Sequence, residues 1–166
     1  MGRGNPAARL MLIGEAPGAQ EDSAGLPFVG RSGQLLDQLL AAAGLDSNAD
    51  AYVVNGVKCR PPGNRKPTAA ELAACRPWLE QQILQVNPAL IVLLGASALE
   101  AVLGIRGGIT KRRGQWHRSE AALLRGRQLM PVLHPSYLLR FNATAEGSPR
   151  GLTAADFRAV ARCLSV

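Results

Sequence analysis

Short apolar segments alternate along this chain with longer segments of helical periodicity. Leu90–Leu94 is apolar at every position, which is typical of a central strand covered on both faces of a sheet. Three further apolar segments favour strands as well: Leu10–Ile13, Ala51–Asn55 and Leu129–Leu133. This strand-then-helix rhythm predicts an α/β fold, in the form of a three-layer α/β/α sandwich with a mainly parallel central sheet.

Helix-start signals lie between the predicted strands. Thr68 and Glu71 have the spacing of a capping box, which predicts a helix to about Val86. Thr153 has an acidic residue three positions later, so we expect it to cap a last helix to about Leu164. The remaining expected elements are helices at Gly33–Ala43 and Ala96–Leu103, loops at Gly14–Pro27, Cys59–Pro67 and LHPSYLLRFN, and a β excursion at Gly104–Gly126.

The composition fits one compact domain spanning residues 1–166, because 47% of the residues are hydrophobic and 19% are charged. The net charge of +7 favours a polyanionic partner, nucleic acid first and an anionic membrane second. No apolar stretch is long enough for a membrane span or a signal-peptide core, so we expect a cytoplasmic protein. The three cysteines are too few and odd in number for a disulfide framework.

Ligands of such sheets bind where the chain leaves the carboxyl ends of the strands. Glu15 follows the first predicted strand, in a glycine-rich loop that lacks the lysine of a phosphate-binding loop. Asn55 closes the second strand and could pair with the edge of a pyrimidine, or could simply form a turn. His134 follows the last strand and could donate to an anionic oxygen, or could be a structural histidine before a proline.

Four motifs occur in order along the chain: GEAPGAQED, PFVGRSGQLL, NGVKCRPPGNRKP, and HPSYLLR followed by GSPRGLT. Together they resemble the type-4 uracil-DNA glycosylases, the iron-sulfur branch of that superfamily, over essentially the whole chain. The resemblance implies a monofunctional DNA glycosylase of base-excision repair, which flips uracil out of DNA and hydrolyses its N-glycosidic bond. It also implies a monomer that acts on uracil-containing DNA, with a polymerase sliding clamp as a candidate partner.

The resemblance assigns a base pocket. Phe28 would stack on uracil, Asn55 would read its polar edge, and His134 would stabilise the negative charge that builds on the uracil oxygen. Glu21 would exclude the thymine methyl group, because Gly18 stands where another branch has a bulky tyrosine. The further uracil-binding residue is Gly14.

The resemblance leaves the water-activating group open. Another branch has an aspartate where this chain has Ala16, so no carboxylate at that position can orient the water. Glu15 and the main chain around Ala16 are the candidates that remain for the catalytic role.

DNA contacts are implied at two further places. Leu138 stands at the position of the wedge that fills the gap left by the flipped base. The candidates for phosphate contacts, which give affinity without sequence preference, are Ser136, Arg140, Arg60, Arg65 and Lys66.

Type-4 enzymes hold a 4Fe-4S cluster through four cysteines. Cys59 and Cys75 resemble the second pair of these ligands, whereas the family's N-terminal Cys-x-x-Cys is absent and Cys163 has no counterpart. Two explanations compete: a start placed downstream of the first pair, which we favour, or a true loss of the cluster. Loss would make the chain a DNA- or lesion-binding module with weak turnover, and a changed pocket would make it a glycosylase for other deaminated bases.

Overall fold

The computed structural model describes residues 2–165 as a five-stranded sheet with helices on both faces. The strands are β1 (Arg3–Gly4), β2 (Leu10–Gly14), β3 (Ala51–Asn55), β4 (Leu90–Leu94) and β5 (Gln128–Val132). Their order across the sheet is β1-β3-β2-β4-β5, and only the short edge strand β1 runs antiparallel to its neighbour. The predicted α/β sandwich with a mainly parallel sheet is therefore confirmed.

Seven helices cover the sheet within the described residues. They are α1 (Ala19–Ala24), α2 (Arg31–Ala42), α3 (Ala69–Val86), α4 (Ala96–Leu103), α5 (Ile109–Arg112), α6 (Pro135–Leu138) and α7 (Pro149–Leu164). One of the two cores joins the sheet to α2 and α7, where Leu36 and Phe157 are fully buried. The other joins the opposite face to α3 and α4, where Ile83 and Leu99 are fully buried. Alternate residues of the central strands enter opposite cores, as the pleat requires.

The predicted capping box of α3 is present. The Thr68 hydroxyl accepts from the Glu71 amide at 3.2 Å, and the Glu71 carboxylate accepts from the Thr68 amide at 2.9 Å. The predicted start of the last helix was wrong, because Ser148 caps α7 and accepts from the Gly151 amide at 3.1 Å. Pro149 at the first helical position suits that earlier start. Thr153 lies inside α7, where its hydroxyl donates to the Pro149 carbonyl.

Three predicted segments differ from the structure. The loop at Gly14–Pro27 contains α1, which ends at Gly25 in the left-handed conformation. The predicted β excursion at Gly104–Gly126 was wrong: it contains α5 and only one isolated bridge, from His117 to Leu129. The two other expected loops contain a short 3-10 turn at Pro62–Asn64 and the helix α6.

Register brings the ends of the parallel strands to one edge of the sheet. Gly14 pairs with Asn55, and Leu94 pairs with Val132, so the segments that follow these residues leave the sheet side by side. This edge carries the candidate site. Within residues 2–165, no helix combines the length and the apolar character needed to cross a membrane.

Candidate active site

A cavity of about 460 Å³ opens where β2, β3 and β5 end, within the size range of small-molecule sites. It brings together most of the predicted site residues from three separate stretches of sequence. Those that line it are Glu15, Ala16, Gly18, Glu21, Phe28, Asn55, Arg65, His134 and Ser136. Sequence reasoning missed four polar residues of the lining: Gln20, Arg31, Ser32 and Asn64.

Gly14 lies directly behind the cavity. A Cβ atom at this position would come within 2.5 Å of the Phe28 ring and 2.6 Å of Asn55 Oδ1, both closer than side chains tolerate. Glycine therefore allows the aromatic ring and the amide to approach the end of β2 together. Phe28 itself is buried, and its ring centroid lies 5.7 Å from that of His134. The aromatic ring and the polar amide edge therefore line the same part of the cavity, a slot that suits a planar ring with hydrogen-bonding groups.

Asn55 carries an unpaired acceptor. The residue is 4% exposed, and its Oδ1 atom has no hydrogen-bond partner among residues 2–165. A buried polar atom without a partner costs about 1–3 kcal/mol, so native structures keep few of them. A donor group on a ligand in the cavity would satisfy this atom.

His134 has a defined tautomer. The Ser136 amide lies 3.0 Å from His134 Nδ1, and since an amide can only donate, Nδ1 carries the lone pair. The Ser136 hydroxyl also lies 2.8 Å from Nδ1. Burial lowers the pKa of the imidazole from 6.5 to about 4, so the ring is neutral at physiological pH. Its one proton is then on Nε2, which is left to donate to a ligand.

Close packing helps to place this histidine. A Cβ atom at Gly95 would come within 2.8 Å of His134 Cβ, and Gly95 has a φ of +91° that side chains disfavour. Gly95 follows directly after the neighbouring strand β4, so a glycine is needed there for the histidine to lie against it.

Glu21 holds the rim of the cavity together. Its carboxylate accepts from the backbone amides of Gly18 at 3.2 Å, Val29 at 2.9 Å and Gly30 at 2.6 Å. Hydrogen bonds to a charged acceptor are stronger than neutral ones. The carboxylate therefore links α1 to the segment that carries Phe28, besides lining the cavity.

Glu15 has a partner that the sequence did not reveal. Its Oε2 atom accepts from the Ser97 hydroxyl at 2.7 Å, and Ser97 is buried in the first turn of α4. The only available signal was that Ser97 follows the end of β4 and so shares the edge of the sheet with Glu15. The hydroxyl fixes the orientation of this carboxylate at the cavity wall.

The basic residues predicted for DNA contacts differ in their environments. Arg65 lines the cavity but donates to the Glu71 carboxylate at 2.6 Å and 3.2 Å, an ion pair that lowers the pKa of Glu71 to about 2. Arg60 donates to the Asn64 side chain at 2.7 Å. Lys66 and Arg140 are exposed and lie outside the cavity lining.

The structure places the predicted wedge residue in the core, and its role as a wedge stays a prediction. Leu138 is fully buried in the core beneath α6, so its side chain cannot enter a DNA stack without leaving that core. The sequence motif placed a leucine at the right spacing, but the short helix α6 turns it inward. The exposed side of α6 carries Tyr137, whose ring lies 5.1 Å from that of Phe141.

The comparison with known proteins decides the family. A family model described as the Uracil DNA glycosylase superfamily matches residues 1–159. This chain belongs to the uracil-DNA glycosylase superfamily. It is 48% identical to the type-4 uracil-DNA glycosylase of Thermotoga maritima over 141 residues, which are 84% of this chain and 71% of the relative.

Two archaeal type-4 uracil-DNA glycosylases agree with this assignment. The chain is 38% identical to that of Saccharolobus solfataricus over 99% of its own length and 75% of the relative's. It is 39% identical to that of Sulfurisphaera tokodaii over 83% of its own length and 64% of the relative's. The predicted type-4 resemblance is confirmed by these relatives.

The cysteines of this superfamily member do not fit a complete iron-sulfur site. Cys59 is exposed, and the half-buried Cys75 accepts from the Lys58 amide at 3.4 Å. Cys163 lies on α7, packs against the core on the opposite face of the sheet, and contacts the Gln128 side chain at 3.0 Å. The described part of the chain contains no group of three or more histidine, cysteine, aspartate or glutamate side chains suited to a metal ion. A cluster with four thiolate ligands is therefore not accommodated by these residues alone.

Proposed function

We propose that this chain is a uracil-DNA glycosylase, a hydrolase that binds a flipped uracil between Phe28 and Asn55 and breaks its N-glycosidic bond. The observation that carries the proposal is the buried, unpaired Oδ1 atom of Asn55 in the cavity wall. Uracil presents a donor at N3, which this acceptor would bind. Cytosine presents an acceptor at N3, so two lone pairs would face each other and the buried group would stay unpaired.

His134 supplies the stabilisation of the leaving group. As the bond breaks, negative charge develops on the uracil ring and its O2 atom. The neutral imidazole with its proton on Nε2 donates to that oxygen, while Ser136 holds Nδ1. One such preorganised donor is worth about 3–4 kcal/mol in the transition state.

Glu15 is the candidate for orienting the water. The Ser97 hydroxyl bound to Oε2 fixes the carboxylate, and the other oxygen remains to accept from a water molecule. Ala16 contributes main chain only. None of the three lysines of the chain lines the cavity, which supports hydrolysis without lyase chemistry through an amine.

The exposed arginine and lysine residues beside the cavity support DNA as the bound form of the substrate. Lys66 and Arg140 are candidates for phosphate contacts, and so is Arg65, which already pairs with Glu71. The single domain, the monomeric state and the sliding-clamp partner remain predictions.

A cleavage assay tests the proposal. The protein is incubated with an oligonucleotide that contains one uracil, the DNA is treated with alkali, and strand breaks are measured. We expect breaks at uracil and none at cytosine or thymine. Parallel oligonucleotides with hypoxanthine or xanthine test the broader specificity, and DNA binding without breaks by the folded protein would favour the binding module.

The Asn55→Ala variant tests the proposed discrimination. We expect it to lose about a hundredfold or more in the rate of uracil removal, because a buried pairing with the base is lost, while it still binds DNA that contains an abasic analogue. Asn142→Ala, at an exposed position outside the cavity, is the matched control. Equal losses of rate and of abasic-DNA affinity in Asn55→Ala would point to a folding role instead.

For the cofactor, we propose that this chain alone does not assemble the cluster, because Cys59 and Cys75 supply only two thiolates of four. Iron analysis and the visible absorption spectrum of the purified protein test this. A brown protein with a full iron complement per chain would contradict it.

A further inference from the structure

Phe28 has a backbone conformation that needs outside support. Its φ is +55°, in the left-handed region that bulky residues avoid, and its side chain is buried against the slot. Such conformations persist only where the surroundings hold them. Gly33 must be a glycine beside this segment, because a Cβ atom there would lie 1.9 Å from the Phe28 carbonyl oxygen.

Arg3 contacts this strained segment from outside the cavity. Its Nε atom donates to the Pro27 carbonyl at 2.7 Å, and its Nη2 atom donates to the Phe28 carbonyl at 3.1 Å. Its side chain is 10% exposed, and it does not line the cavity. The two carbonyls before and at Phe28 are therefore held by one guanidinium.

The other donors of Arg3 anchor it to the fold. Its Nη1 atom donates to Ser47 Oγ at 2.9 Å and to Asn48 Oδ1 at 2.8 Å. Its Nη2 atom also reaches Asp37 Oδ1 at 3.4 Å, and Ser47 donates to the same oxygen at 2.6 Å. All five N–H groups of the guanidinium thus have acceptors, a geometry that lysine cannot reproduce.

Two oppositely charged side chains therefore hold Phe28 from both sides. Arg3 holds the carbonyls of residues 27 and 28, and Glu21 holds the amides of residues 29 and 30. We propose that Arg3 is a positioning residue for base removal, which acts through Phe28 by fixing the aromatic face on which the flipped base stacks. This inference rests on the proposed function and adds a residue on β1 that lies outside every motif of the site.

A double-mutant cycle tests the inference. Arg3→Ala is expected to lower the single-turnover rate of uracil removal about ten- to a hundredfold, since misplacement of a substrate-contacting group costs rates of that order. Arg3→Lys should lose most of the rate as well, because one ammonium cannot span both carbonyls. In a Phe28→Ala background, Arg3→Ala should lower the single-turnover rate by less than a further factor of about two. Arg9→Ala is the matched control, because Arg9 donates to a carbonyl, that of Leu164, away from the cavity.

A second measurement tests the contact of Arg3 with the Phe28 segment and does not require uracil removal. The Phe28 and His134 rings are 5.7 Å apart, so the ring current of Phe28 affects the proton chemical shifts of His134. These shifts should move in Arg3→Ala or Arg3→Lys and stay unchanged in Arg9→Ala.

The two readouts separate the possible failures. Independent, multiplying rate losses in the double variant, or unchanged histidine shifts in folded Arg3 variants, would overturn the inference. A wild-type chain that releases no uracil would count against the proposed function alone, since the shifts still report on Arg3. If Arg3→Ala does not fold, Arg3→Lys decides by the same criteria.

Discussion

Acidification should destabilise this fold through His134. The folded protein holds the imidazole pKa near 4, whereas the unfolded chain has the ordinary value of 6.5. Between these values the unfolded state binds a proton that the folded state does not, so stability is lost as the pH falls from 6.5 towards 4. The shift of about 2.5 units corresponds to about 3.4 kcal/mol over the full window. Between pH 7.5 and 4.5 the expected loss is about 2.5 kcal/mol.

Urea denaturation of the wild type and of His134→Gln at these two pH values measures this loss. Carboxylates that titrate in the same range contribute to both proteins, so the difference between them isolates His134. We expect the wild type to lose about 2.5 kcal/mol more than the variant. Parallel stability curves for wild type and His134→Gln would refute a neutral His134 with a lowered pKa.

Three further substitutions follow from contacts at the site. Glu21→Gln removes the charged acceptor of three backbone amides, so urea denaturation should show a free energy of unfolding that is lower by about 2–3 kcal/mol. A decrease below about 0.5 kcal/mol would contradict this prediction. Ser97→Ala frees the Glu15 carboxylate and should slow single-turnover uracil removal about tenfold while the protein stays folded, whereas an unchanged rate would remove Ser97 from the site. Gly14→Ala places a methyl group 2.5 Å from the Phe28 ring, so base removal should fall at least about a hundredfold, and near-normal activity would show that the slot can widen.

Much of the fold could be predicted because its signals are local. A few neighbouring residues determine the conformation of β4, through its apolar run, and of the start of α3, through its capping box. Both predictions are confirmed. The start of α7 was missed because two capping signals compete, and Ser148 with the following proline prevails over Thr153. The predicted β excursion at Gly104–Gly126 was wrong for a different reason. The glycines of this segment permit many conformations, and contacts with the rest of the chain determine which one forms.

The site could be predicted only as far as its motifs reach. The gathering of Phe28, Asn55 and His134 follows from parallel strands that end at one edge, which the sequence pattern indicates. The hydrogen bond from Ser97 to Glu15 joins residues that are 82 positions apart in the sequence. The contacts of Arg3 depend on a loop geometry that no local sequence pattern predicts. Leu138 shows the converse, since a motif position fixed the residue but the turn of α6 determined where its side chain went.

The ion pair between Arg65 and Glu71 also limits how DNA affinity should respond to salt. Each phosphate newly neutralised by a free cation releases counterions and steepens the fall of affinity with salt concentration. Arg65 already has an anionic partner at 2.6 Å, so a phosphate that takes the place of Glu71 exchanges one anion for another. The carboxylate set free then repels the DNA backbone nearby. A count of basic residues around the cavity will therefore overstate the slope of log affinity against log salt by about one unit at this arginine.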